Sequence, residues 1–189
     1  MMANIESGDA RRRVPWRMLG WGGAAALLLI PLLGNWPWTP SDYVFAGILF
    51  GGVGLGIELA CRISGNSAYR LGAALALVTA LLLIWINAAV GIIGNENNPA
   101  NLVYVAILAI GAIGALVAMF RPSGMARAMT VTGSAHALVA VGILVISLGA
   151  TDPPGAFGLL MLNGIFVALW LASAALFRRA ASGSASTAR

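Results

Sequence analysis

Polar side chains that could do chemistry are few in this chain of 189 residues, and three of them stand in or beside apolar runs. Asn87 interrupts the run "LLLIWINAAVGIIG", and Glu96 lies in the asparagine-rich segment "NENNPAN" that follows it. Asn163 interrupts a second apolar run, "LLMLNGIF". Amides at one depth in a membrane bundle can hydrogen-bond across helices, and with a carboxylate they can bind a polar solute. These three residues form the candidate polar site.

Two further ionisable groups, Glu58 and His136, stand within apolar segments. Glu58 precedes Arg62 by four residues, so the two side chains share a helix face and can pair. A proton-relay carboxylate is the alternative, although a relay needs further ionisable groups deeper in the membrane. His136 is the only histidine and lies roughly 16 Å along a helix from Met125. Since no nearby Cys, Asp or Glu completes a ligand set, we expect a neutral imidazole that is hydrogen-bonded inside the bundle.

Motifs for catalysis and cofactor binding are absent from the sequence. It contains no nucleophile elbow, no H-E-x-x-H, no phosphate-binding loop and no close pair of carboxylates. Ser134 and His136 are two residues apart and lie on different sides of a helix, which is wrong for a nucleophile and its base. One histidine cannot form a bis-histidine haem site, and Cys61 is the only cysteine. We therefore predict a protein that is not an enzyme and has no catalytic residue, metal or cofactor.

The composition is that of a membrane protein. Hydrophobic residues make up 60% of the chain, charged residues 9%, and the mean hydropathy is +0.90. The net charge of +5 comes from eleven arginines that are spread between apolar runs and are not gathered on one polar face. The expected partner is therefore the lipid bilayer and not nucleic acid.

Six apolar stretches approach the roughly 20 residues that a helix needs to span a membrane. Helices are expected because lipid offers no partner for unpaired backbone N–H and C=O groups. The predicted fold is all-α, a polytopic bundle of six transmembrane helices at residues 17–34, 43–61, 71–94, 101–120, 125–149 and 156–177. Residues 1–16 are predicted as an N-terminal cytoplasmic segment, 17–177 as the transmembrane domain and 178–189 as a flexible cytoplasmic tail.

The arginines predict how the helices are threaded. All eleven lie at or before the start of the first predicted helix, around the second and fourth connections, and after the sixth helix. The first, third and fifth connections contain none. Because arginine accumulates in cytoplasmic loops, both termini are predicted in the cytoplasm.

Glycines in the second predicted helix indicate close packing. The segment "FAGILFGGVGLGIE" carries two overlapping G-x-x-x-G pairs, Gly47 with Gly51 and Gly52 with Gly56. Small residues at this spacing let helices approach closely, because lipid tails leave van der Waals contact to drive helix association. The face is predicted to pack within the bundle, against a membrane-protein partner, or against a second copy of the chain.

The segment "IWINAAVGIIGNENNPANLVY", with "ELACR" before it and "FRPSGMARA" after it, resembles a widespread group of uncharacterised bacterial multi-pass inner-membrane proteins. The resemblance covers residues 58–127 and implies an inner-membrane protein, without adding a catalytic residue. It implies that the group's role involves Trp85, Asn87, Glu96, Asn98, Pro99 and Asn101.

Two functions from different classes fit these observations. The first is a non-catalytic membrane component, an accessory or scaffold subunit, whose glycine faces pack helices and a partner. The alternative is a small-solute transporter or channel with an outward-facing polar vestibule formed by Asn87, Glu96 and Asn163. The alternative predicts that these three side chains converge on one cavity.

Overall fold

The computed structural model describes residues 16–146 and 155–186, and in this part of the chain helices are joined by turns and loops, without strands. A short 3-10 helix at Pro99–Asn101 precedes the fourth α-helix. The six α-helices are α1 (Trp16–Leu33), α2 (Pro40–Ile63), α3 (Ser67–Ala89), α4 (Leu102–Val117), α5 (Pro122–Ile146) and α6 (Gly155–Ser186). The prediction of an all-α fold is confirmed.

Five of these helices, α2 to α6, are long and apolar enough to cross a membrane when α4 is counted with its preceding 3-10 turn. The apolar part of α1, Gly20–Leu33, is shorter. This architecture supports the prediction of a multi-pass membrane protein.

Most described helix ends differ from the prediction by one to four residues, and two differ by more. Helix α3 ends at Ala89 and not at Gly94, because Gly91 and Gly94 both adopt a φ of +71°. A Cβ built on Gly91 would lie 2.3 Å from the backbone of Asn95, so only glycine fits where the chain turns.

Helix α6 extends to Ser186 and not only to Phe177. Residues 178–186, predicted as part of a polar tail, therefore continue the last helix. Their small residues, Ala and Ser among them, are compatible with an extended helix once α6 has begun, because adding a residue to an existing helix is easier than starting one.

The chain divides into two compact units, Met1–Ile48 and Leu49–Arg189. In the first unit, aromatic rings pack edge to face after α1: Trp36 against Trp38 at 6.4 Å and Trp38 against Tyr43 at 5.2 Å between ring centroids. Asp42 accepts hydrogen bonds from the backbone N and the Oγ1 of Thr39, at 2.7 and 2.8 Å, at the start of α2. Tryptophan and tyrosine at this position are typical of a membrane interface.

In the second unit, α6 is the central helix. It packs along α5 and along α3, and α4 packs along α5. Its buried side chains recur at steps of three and four residues, which is the spacing of one helix face. They are Leu159, Asn163, Phe166, Trp170, Ser173, Ala174, Phe177 and Ala180.

Small residues set the closest helix contacts in this unit. A Cβ built on Gly114 of α4 would lie 2.9 Å from the Cβ of Ala128 on α5. A Cβ on Gly133 of α5 would lie 3.2 Å from Trp170 on α6. Ser173 of α6 donates a hydrogen bond of 2.8 Å to the carbonyl of Gly72 on α3, which fastens these two helices.

The glycine face predicted on α2 is only partly in contact. A Cβ on Gly56 would lie 2.7 Å from the Cδ1 of Leu77 on α3. Gly51 and Gly52 have no atom of the second unit within 4 Å of such a Cβ, and Gly47 has none of the first unit. Within the units, therefore, only one of the four predicted glycines lies at a close helix contact.

The contact between α4 and α5 predicts that two glycine-to-alanine variants differ in their free energy of unfolding. Gly114→Ala should lower the free energy of unfolding by about 1–3 kcal/mol, because the added methyl overpacks the contact with Ala128. Gly142→Ala on α5 has no atom within 4 Å and should be neutral or raise stability by up to about 1 kcal/mol, because alanine is the better helix former. Unfolding in mild detergent, followed by circular dichroism, measures both, and equal effects would contradict this packing.

Candidate functional site

A buried polar cluster joins α4, α5 and α6 through one amide. Asn163 of α6 is 1% exposed, and its Oδ1 lies 3.0 Å from the hydroxyl of Tyr104 on α4 and 3.0 Å from the Nε2 of His136 on α5. Its Nδ2 donates a hydrogen bond of 2.8 Å to the carbonyl of Leu159, one turn earlier in α6. The three side chains thus connect three helices.

These partners determine which atoms carry the protons. The Leu159 carbonyl can only accept, so it must face the Nδ2 of Asn163, and the Oδ1 must face the other two groups. The Tyr104 hydroxyl and the His136 Nε2 therefore both donate to that oxygen. In this tautomer a neutral His136 has no proton on Nδ1, which is buried without a hydrogen-bond partner.

Aromatic rings enclose the imidazole of His136. Phe166 stacks on it with ring centroids 5.7 Å apart and an angle of 16° between the planes. Tyr104 packs on it at 5.6 Å with an angle of 54°. A second proton on Nδ1 would place an unpaired charge among these rings, which is unfavourable for a fully buried side chain. The cluster is therefore suited to holding helices together and not to moving protons.

The asparagine-rich loop is organised by Asn101, which is 5% exposed. Its Oδ1 accepts hydrogen bonds from the backbone N–H groups of Ile92 and Ile93, at 3.2 and 2.9 Å. Its Nδ2 donates to the carbonyls of Ile93 and Asn95, at 3.3 and 2.7 Å. One side chain thus satisfies four backbone groups of the loop. The Oδ1 of Asn98 accepts from the N–H of Ala100 at 3.0 Å and caps the 3-10 helix.

The structure gives each of the three residues of the candidate polar site different direct hydrogen-bond partners. Asn87 donates from Nδ2 to the carbonyl of Asn101 at 3.3 Å, and its Oδ1 is buried without a partner. Glu96 is exposed in the loop, where its Oε1 accepts from the Nδ2 of Asn97 at 3.1 Å. Asn163 belongs to the cluster with Tyr104 and His136. No described hydrogen bond links these three candidates.

Glu58 forms an ion pair with Arg62 one turn later on α2, with 2.6 Å between Oε1 and Nη2. The Arg62 side chain is 72% exposed, which places the pair at the protein surface. In the part of the chain that the structure describes, no group of three or more His, Cys, Asp or Glu side chains could hold a metal ion.

An apolar cavity of about 240 Å³ lies between α2, α3, α4 and α5, with Trp170 of α6 in its wall. Tyr69 also lines it, and its hydroxyl donates to the carbonyl of Phe120 at 2.7 Å. The Nε1 of Trp170 is buried without a hydrogen-bond partner. Asn87, Glu96 and Asn163 do not line this cavity. It is suited to an apolar group and not to a charged or strongly polar solute.

Sequence reasoning missed Tyr104 and Trp170 and singled out Asn101 only through the resemblance. A signal for Tyr104 was present, because it follows Asn101 by one helical turn and so extends the polar face of that segment into α4.

Comparisons of the chain with models of known protein families, with curated proteins and with solved structures found no match. The roles assigned to these residues therefore come from geometry.

Because Tyr104 and His136 share the amide of Asn163, we predict that two variants of this cluster differ strongly in their free energy of unfolding. Asn163→Leu should destabilise the protein by more than about 2 kcal/mol, because it leaves the donors of Tyr104 and His136 buried and unpaired. Tyr104→Phe removes one donor and leaves Asn163 bonded to His136, so its effect should stay near 1 kcal/mol. Unfolding in mild detergent measures both variants and their combination. The double variant should be less destabilised than the sum, and strict additivity would contradict a shared network.

Proposed function

We propose that the chain is a non-catalytic component of the bacterial inner membrane, an accessory or scaffold subunit with six membrane passes and both termini in the cytoplasm. The observation that carries this function is that Gly51 and Gly52 of α2 have no close helix contact within their own unit. The apolar helices and the arginine distribution support the membrane topology, and the internal use of the buried polar groups supports a role without chemistry.

The length of α1 supports a sixth pass. It has 18 residues, which span about 27 Å and so come close to the roughly 30 Å of a hydrocarbon core. Arg62 and Arg70 flank the turn from α2 to α3, and Arg121 lies between α4 and α5. With alternating passes, these turns and the end of α6 lie on one side of the membrane, as the preference of arginine for the cytoplasm requires.

The topology predicts a labelling pattern for single cysteines introduced into a Cys61→Ser background. In intact cells, a membrane-impermeant maleimide should label Asn97→Cys, in the loop after α3, and should not label Ser182→Cys or Ser7→Cys. All three should be labelled after lysis. Labelling of Ser182→Cys or Ser7→Cys in intact cells would contradict the shared cytoplasmic location of the two ends.

The α2 face supports a partner because Gly51 and Gly52 lie at no close helix contact inside the second unit. From Leu49 to Ile63, only Ala60 is buried. Glycine in a helix interior is less favourable than alanine by roughly 0.5–1 kcal/mol, and lipid contact does not require it. Gly51 and Gly52 are therefore explained by the close approach of a helix from another protein, which glycine permits and larger residues prevent.

Photo-cross-linking in native membranes tests this function. A benzophenone residue at Leu55, one turn from the two glycines, should form an adduct with one defined membrane protein. The same residue at Val141 on α5, which is similarly exposed, is the matched control and should not form it. Gly51→Leu with Gly52→Leu should abolish the adduct, whereas Gly142→Leu should not.

Three outcomes would overturn the proposed function: equal adducts from Leu55 and Val141, an adduct that survives the double glycine variant, or an adduct formed only with a second copy of this chain. A reciprocal cross-link, placed on the identified protein and recovering this chain, is the required confirmation.

The alternative, a small-solute transporter or channel, has one observation in its favour, the buried and unpaired Oδ1 of Asn87. Neither of the other two residues of the proposed vestibule has a described hydrogen bond to Asn87: Glu96 is bonded to Asn97, and Asn163 lies in the cluster with Tyr104 and His136. The geometry therefore favours the non-catalytic component.

A further inference from the structure

Two arginines from different helices face one open cleft. The cleft has a volume of about 510 Å³ and lies between the first turns of α5 and the last turns of α6. Arg127 and Thr130 of α5 and Arg178 of α6 line it, together with Ser123. It is separate from the apolar cavity and from the polar cluster around Asn163.

One of the two guanidinium groups is held in place by the protein. Arg178 donates from Nη2 to the Oγ1 of Thr130 at 2.9 Å, and that hydroxyl donates its own proton to the carbonyl of Ala126 at 2.8 Å. Because the hydroxyl proton is used, the Thr130 oxygen is an acceptor for the arginine. This hydrogen bond uses one of the five N–H donors of Arg178. The other donors of its planar guanidinium group can therefore bind a ligand.

No carboxylate of the described residues neutralises the cleft. The described acidic side chains are Asp42, Glu58 and Glu96, and none of them lines it. Glu58 already pairs with Arg62 on α2. Two permanent positive charges thus converge where the protein supplies no anion, and two guanidinium groups match the oxygens of a phosphate.

A neighbouring groove with a mostly apolar lining is continuous with the charged cleft. A second cleft of about 320 Å³, between α4 and α5, shares Arg127 and Val131 with the first. Ile110, Gly114 and Val117 line it on the α4 side. The exposed side chain of Leu138 lies seven residues after Val131, on the same face of α5. A charged cleft that continues into an apolar groove along a membrane helix fits a phospholipid, with its headgroup on the arginines and an acyl chain in the groove.

We propose that the cleft between α5 and α6 is a binding site for an anionic phospholipid, whose phosphate contacts Arg127 and Arg178. An anionic headgroup is favoured over a zwitterionic one because the site offers no acid to pair with an ammonium group. Basic pockets between membrane helices are suited to such headgroups. The site requires neither the partner face on α2 nor a particular orientation of the chain.

The test compares lipids with identical acyl chains, so that only the headgroup differs. Native mass spectrometry of the protein in mild detergent should show retention of dioleoylphosphatidylglycerol at least about tenfold above dioleoylphosphatidylcholine. Arg127→Gln with Arg178→Gln should remove this preference. Arg121→Gln with Arg179→Gln is the matched control: it removes the same charge from neighbouring positions that do not line the cleft, and it should keep the preference.

The possible contrary results are distinct. Equal retention of both lipids by the unaltered protein would overturn the headgroup preference, and an equal loss in both double variants would show attraction to net charge and no site. Displacement of the lipid by millimolar inorganic phosphate would identify a free-anion site and overturn the lipid assignment. Melting curves confirm that the variants fold, and the single variant Arg127→Gln, whose exposed side chain has no described hydrogen bond, provides an independent measurement.

Discussion

In a hydrocarbon environment a polar side chain must find its partners inside the protein, and Asn163 meets this requirement for three helices at once. Its single oxygen receives the protons of Tyr104 and His136, and its amide nitrogen is bonded to its own helix. The positions of α4 and α5 on α6 depend on this arrangement, because sliding either helix would leave a buried donor unpaired. The glycine and alanine contacts around it permit the close approach that these hydrogen bonds require.

The need of buried polar groups for hydrogen-bond partners also explains the loop between α3 and α4. The described residues also include arginines without a carboxylate beside them and a helix face without a close contact in its unit. Asn101 satisfies four backbone groups in a segment that has turned away from helix. By contrast, Arg127 and Arg178 have no carboxylate beside them among the described residues, and Gly51 and Gly52 have no neighbour within their unit. Most described buried polar side chains thus have hydrogen-bond partners within the protein, whereas one arginine cleft and one helix face are the places where we propose that a lipid and a partner bind.

Much of the architecture follows from composition and pattern. Apolar stretches of spanning length predicted the helices, since helix is the local structure that satisfies its own backbone in lipid, and the described chain is all-helical. The ends were less accurate where a special backbone conformation decided them. Gly91 and Gly94 end α3 early through positive φ values, and the amide that stabilises the turn comes from Asn101, beyond it in the chain. Such a contact cannot be found from local propensity.

By itself, then, the sequence determined the helical, membrane-type class of the protein and the approximate positions of its long apolar helices, because these depend on how single residues partition between water and lipid. Only the tertiary structure decided which polar groups meet. Asn87 and Asn163 fall at similar depth in sequence, yet the first contacts Asn101 and the second contacts Tyr104 and His136. Likewise, Gly114 and Gly133 lie at close helix contacts that the G-x-x-x-G spacing did not indicate. The reason is that depth and spacing follow from one helix alone, whereas a contact depends on the rotation and neighbours of two.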